Sequence, residues 1–186
     1  MEKKLEKSQV DIGQIAVIGV MTAVMCVLAP FSLPIGPVPI SLTNFAIYIA
    51  IYVLGTKRAT ISYLIYLLIG FVGVPVFSGF TSGPEKLLGP TGGYLIGFLP
   101  MLIIAGICID HFTRKPYLCV LGMVVGTAVC YVFGTGWLAY SASMTFKAAL
   151  FAGVIPFIVG DLIKIIVSAI VGPQLRKQLI RANLYS

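Results

Sequence analysis

The sequence predicts an all-α integral membrane protein, a bundle of six transmembrane helices with both termini cytoplasmic. Three observations predict it. The 186 residues are 59% hydrophobic and 10% charged, with mean hydropathy +1.03. A soluble domain carries about 25% charged residues, so this chain has too little polar surface to face water. Its apolar residues form continuous runs instead of alternating, which selects helices over a barrel. Its basic residues gather on alternate loops.

Taken in order, residues 1–11 are charged and polar. The run after them lacks a small-residue cleavage site, so it is expected to be a first span and not a signal peptide. Six runs follow, at 12–29, 42–54, 59–72, 94–109, 118–133 and 151–171. Crossing a hydrocarbon core of ~30 Å takes about 20 residues, so the second and third are short. Short spans flanked by Pro and Gly often border a site built by loops and broken helices. No polar stretch is long enough to fold alone, so residues 1–186 are expected to form one membrane domain.

With the N-terminus cytoplasmic, Lys3, Lys4, Lys7, Lys57, Arg58, Arg114, Lys115, Arg176, Lys177 and Arg181 fall inside. Of the 13 Lys and Arg residues, only Lys86 and Lys147 fall outside, and Lys164 lies in the membrane. This is the positive-inside pattern. The net charge of +7 is thus a topology signal with some attraction to anionic lipid, and not a nucleic-acid footprint.

The external side is the unusual one. Segment 30–41 has no charge and holds Pro30, Pro34, Gly36, Pro37 and Pro39, which makes it stiff. Segment 73–93 is rich in Gly and Pro, and segment 134–146 carries Trp137 and Tyr140. Internal loops are short and basic. A solute site is therefore expected to face outward.

Asp161 and Lys164 sit inside the last apolar run. A spacing of three puts both on one helix face, and an ionisable group at bilayer depth costs roughly 2.5–3.5 kcal/mol on insertion scales. Two readings stand: a self-neutralising structural pair, or a site offering an acceptor and a cation to a small polar solute. The string Gly89-Pro90-Thr91-Gly92-Gly93-Tyr94 also reads in two ways. It can be turns and close packing, or bare backbone that approaches a ligand at the start of the fourth helix, with Thr91 placed to cap it. It is no phosphate loop, and no Walker A motif occurs anywhere.

His111 is the sole histidine and stands beside Asp110 at an internal helix end, as a helix-terminus charge partner. Metal hydrolysis and Ser-His or Cys-His catalysis find little support, so no enzyme, metal or cofactor is expected. Cys26, Cys108, Cys119 and Cys130 read as buried thiols. Gly19-x-x-x-Ala23 and Gly122-x-x-x-Gly126 read as helix packing inside the bundle, or, if exposed, as a docking face for another membrane subunit. Phe31, Phe77, Phe80, Tyr94, Trp137 and Tyr140 surround the outer mouth as interfacial anchors or as ligand-stacking rings.

Four motifs in order carry a resemblance: Gly36-Pro37-Val38-Pro39, the run from Gly73 to Phe80, the run from Gly89 to Phe98, and Pro156-Phe-Ile-Val-Gly160-Asp161-Leu-Ile-Lys164. Over about Gln14 to Arg176 the chain resembles BioY, the biotin-specific substrate-binding (S) components of energy-coupling-factor (ECF) transporters. The resemblance implies a six-helix bundle with an outward vitamin pocket under the first external loop. It also implies an energy-coupling transmembrane subunit and two cytoplasmic ATPases as partners, and a multi-pass place in the cell (plasma) membrane of a prokaryote. The family segment after Gly-Pro-x-Pro tends to carry Thr and Gln, where this chain has Ser41, Thr43 and Asn44. The Ala-x-x-x-Ala docking motif of the first helix has Gly19 and Ala23 as its nearest match.

Biotin has a ureido ring with two N–H donors and a carbonyl, an apolar thioether ring and a carboxylate. Asp161 can accept from the ureido N–H groups, and Lys164 can donate to the ureido oxygen or the carboxylate. Tyr94, Phe77 and Trp137 are expected to wall the apolar part. Asn44, Thr43, Pro90 and the Gly92–Gly93 backbone are expected to complete the site. Three alternatives remain beside biotin capture for ATP-driven uptake: another vitamin, an intramembrane enzyme using Asp161, and a structural subunit in which the pair only fixes helix register.

Overall fold

The computed structural model describes residues 12–113 and 115–182. Lys3, Lys4, Lys7 and Arg114, expected inside, lie outside the described residues. The order is α1 (Ile12–Leu28), β1 (Ser32–Leu33), β2 (Ile40–Ser41), α2 (Thr43–Phe71), α3 (Pro84–Leu88), α4 (Gly92–His111), α5 (Pro116–Ser141), α6 (Phe146–Gly153) and α7 (Ile155–Arg181). By length and composition α4, α5 and α7 are long and apolar enough to cross a membrane, and α1 is a shorter apolar helix. Val20, Val132, Val159 and Ile170 are each more than half exposed. Such outward apolar faces suit lipid, because hydrocarbon imposes no cost on them.

The second and third apolar runs are the two halves of α2, broken at Gly55 (φ 74°, ψ 169°). That backbone region belongs essentially to glycine, and here it reverses the chain. Contacts along α4 prove the reversal. The Tyr48 hydroxyl lies 3.4 Å from Met101 Sδ, Thr56 bonds Asp110, and the Tyr63 hydroxyl donates to the Leu95 carbonyl at 2.8 Å. The chain thus descends α4 and climbs back. Asp110 Oδ2 accepts from both the backbone N–H (2.9 Å) and the hydroxyl (2.6 Å) of Thr56. It thereby satisfies an orphan donor at the start of the second half. The same carboxylate pairs with Arg176 at 3.2 Å, so the turn, α4 and α7 meet at one end of the bundle. Asp110 therefore partners Thr56 and Arg176, while His111 Nδ1 lies 2.9 Å from the carbonyl of Ile107 in its own helix.

Small residues let the helices close. A side chain at Gly122 would meet that of Cys108, and one at Gly126 would meet the Met101 carbonyl at 2.8 Å, so this pair packs α5 on α4. Gly19 and Ala23 are instead exposed on α1. The opposite side of α1 is tied to the second half of α2 by Thr22 and Ser62, whose hydroxyls are 2.9 Å apart. Met25, Ile47, Tyr48, Ile51, Tyr63, Tyr66, Met101 and Met123 are fully buried in the core.

Two loop expectations change. Segment 30–41 forms a small hairpin, with Ser32 opposite Ser41 and Leu33 opposite Ile40. Much of segment 134–146 is helix, since α5 runs on to Ser141 and only residues 142–145 connect it to α6. The last run is likewise split, with α6 and α7 meeting at Val154. Pro156 stands in the first turn of α7, where its missing N–H costs nothing.

Candidate functional site: a buried ion pair in the wall of a cavity

The hairpin is anchored over one end of the bundle. Gly79 N–H donates to the Pro30 carbonyl at 2.9 Å, and Phe31 meets Phe80 edge-on at 5.7 Å. Beneath it lies a cavity of about 610 Å³, open mouth included, whose lining includes Ser41, Thr43, Asn44, Tyr94, Asp161 and Lys164.

Asp161 and Lys164 are one turn apart on α7 and bond at 2.9 Å, with side chains 8% and 12% exposed. Both line the cavity. Lys164 Nζ also donates to the Ser41 carbonyl at 2.6 Å and to Asn44 Oδ1 at 3.1 Å. Asp161 Oδ2 accepts from the Tyr131 hydroxyl at 2.6 Å. All three ammonium donors therefore have acceptors, and both carboxylate oxygens are bonded. This is the condition under which a buried pair is tolerated. Asn44 Oδ1 receives both Lys164 and the Phe45 N–H (3.1 Å), which fixes the amide orientation and leaves its NH₂ as a donor.

The apolar wall is aromatic. Tyr94 and Phe157 stack at 6.5 Å with 25° between planes, beside Phe98 and Met101. The Tyr94 hydroxyl donates to the Gly153 carbonyl at 2.9 Å, which locks the ring against α6. Below them, the Tyr48 hydroxyl is 2.6 Å from Thr127 Oγ1, and Thr127 also lines the cavity.

Of the expected residues, the structure brings Asp161, Lys164, Asn44, Thr43 and Tyr94 together in this lining. Phe77, Trp137, Gly92, Gly93 and Pro90 lie outside it. Phe77 is fully buried, stacked edge-on with Tyr66 at 5.6 Å and pressed against Gly70. Trp137 donates its indole N–H to the Gly89 carbonyl at 2.9 Å, holding segment 73–93 on α5. A side chain at Gly92 would strike the Leu87 carbonyl and one at Gly93 the Trp137 side chain, so both glycines serve close packing. Pro90 is exposed. Thr91 stands at the N-cap of α4 without a side-chain cap bond; its hydroxyl leans instead to the Lys86 carbonyl at 3.4 Å. Ser78, Thr127, Cys130 and Tyr131 also line the cavity. Nothing in the linear sequence singles them out, because a Thr, Cys or Tyr within an apolar run looks the same whichever way it faces.

Comparison with known proteins agrees with this architecture. The BioY family model matches residues 1–181. The chain is 36% identical to the protein named biotin transporter BioY of Thermotoga maritima, covering 86% of this chain and 93% of that one. It is 35% identical to biotin transporter BioY2 of Lactococcus lactis subsp. cremoris, covering 92% and 94%. A crystal structure described as the S-component for biotin from an ECF-type ABC transporter superposes with a TM-score of 0.84 at 28% identity, over 94% of this chain and 95% of that one. The chain belongs to the BioY family.

Proposed function

We propose that this protein is the biotin-capturing S component of an ECF-type importer, a transport protein and not an enzyme. It binds external biotin for uptake energised by an energy-coupling transmembrane subunit and two cytoplasmic ATPases. The observation that carries the reading is the Asp161–Lys164 pair, held in a cavity wall beneath a hairpin it is bonded to.

The chemistry suits a bicyclic urea with a carboxylate tail. Asp161 accepts ureido N–H groups, Lys164 and the Asn44 amide donate to ureido oxygen or carboxylate, and the Tyr94–Phe157 wall covers the thioether ring. Water leaving that wall contributes at about 25 cal/mol per Å², while the polar contacts set orientation. A ligand oxygen reaching Lys164 replaces one of its three acceptors. If it replaces the Ser41 carbonyl, binding is coupled to the hairpin.

Six crossings fit the path: α1, the two halves of α2, α4, α5 and α7, all in one domain. Lys57 and Arg58 follow the Gly55 turn, and Asp110 and Arg176 meet beside it. This end is then cytoplasmic, the hairpin is external, and both chain ends are inside, at the plasma membrane. The exposed Gly19 and Ala23 stripe on α1 is the surface we assign to the energy-coupling subunit, since small residues admit a partner helix closely.

Labelled biotin bound to purified protein should be displaced by unlabelled biotin and not by thiamine or riboflavin. Displacement by either of these vitamins, or no retention of biotin, contradicts the assignment.

A further inference from the structure

We propose that an acyl chain of a membrane lipid seats in a crevice between α5 and α7, directly behind the wall of the ligand cavity. The crevice encloses about 390 Å³, open mouth included, and its rim is formed by Val124, Ala128, Ile158 and Leu162. These residues are exposed on a side where Val132 and Val159 are each 68% exposed, so in a membrane the rim opens to hydrocarbon.

The floor is what selects the occupant. Its polar side chains, Thr127, Tyr131 and Asp161, all bond within the protein. Thr127 donates to the Met123 carbonyl at 2.7 Å and meets Tyr48. Tyr131 donates to Asp161 Oδ2, whose other oxygen holds Lys164. Their polar atoms are turned to these partners and the surface left facing the crevice is almost all carbon, so a polar solute would give up its bonds to water there without replacement. A partner helix does not fit either. The crevice spans only residues 124–131 and 158–165, about 10 Å at 1.5 Å per residue, and it is recessed between two helices. A narrow, apolar, flexible chain matches both the chemistry and the shape.

Thr127, Tyr131 and Asp161 line the ligand cavity on their other side. The partition between ligand cavity and bilayer is therefore one layer of side chains thick, and an acyl chain packed on it keeps the Tyr131 ring against Asp161.

The test is photolabelling of the protein in nanodiscs of phosphatidylcholine carrying a diazirine in its acyl chain, read by peptide mass spectrometry. Labelling at Val124, Ile158 and Leu162 should exceed that at Val132 and Ile163 several-fold, although these two are more exposed (68% and 56%). Ala128→Phe and, independently, Leu162→Phe should fill the slot and remove the excess at the remaining rim positions. Labelling that simply follows exposure, or an excess that survives in both variants, overturns the proposal.

Discussion

An ammonium group has three donors, and Lys164 directs them to the hairpin, to α2 and to its own helix. Asp161→Asn would leave that charge buried without its counter-ion, at a cost of about 3–5 kcal/mol. The double variant Asp161→Asn/Lys164→Met leaves no charge and should recover most of the loss in unfolding experiments in detergent. Equal loss in single and double variants would contradict the electrostatic account. Tyr94 depends on neighbours that have no side chain, since any Cβ at Gly134 would enter its ring. Gly134→Val should push the ring into the cavity and weaken biotin binding at least tenfold by titration; unchanged affinity would contradict this role for Gly134. Asp161 and Lys164 were legible because charge in an apolar run is conspicuous. Phe77 and Trp137 looked like ligand walls because aromatic side chains suit both jobs, and only tertiary contacts reveal that one packs on Gly70 and the other bonds Gly89.

Among the elements, α2 depends on one residue. Gly55 adopts φ 74° and ψ 169°, a region that costs other residues about 1–3 kcal/mol. Gly55→Ala should therefore lower unfolding stability by about that amount while leaving Asn44 and the cavity lining chemically intact; stability equal to the parent would contradict the turn's role. Two short apolar runs with Gly55, Lys57 and Arg58 between them made this reversal readable. The extent of α5 was not readable, because Gly134 and Gly136 imitate a loop. Gly134 instead makes room for Tyr94 inside a continuous helix. The hairpin of segment 30–41 was legible as stiff but not as paired, since two-residue strands leave no periodicity to read.

For the whole molecule, the proposed sidedness rests on the basic residues. In a cysteine-free background, Phe80→Cys should react with an impermeant maleimide added to intact cells, while Lys57→Cys should react only after permeabilisation. The reverse pattern would invert the proposed topology. Composition and charge asymmetry made the membrane bundle legible, because hydrocarbon permits so few backbone solutions. The cavity was less so, because residues from four separate helices and a hairpin converge on it. The most direct test of the central claim is calorimetric titration of the purified protein with biotin, alongside Asp161→Asn and Lys164→Ala variants that remain folded by circular dichroism. Tight one-to-one binding should be lost, or weakened at least a hundredfold, in both variants. Retention of parental affinity in both would show that the pair merely braces helices and that biotin, if bound, is held elsewhere.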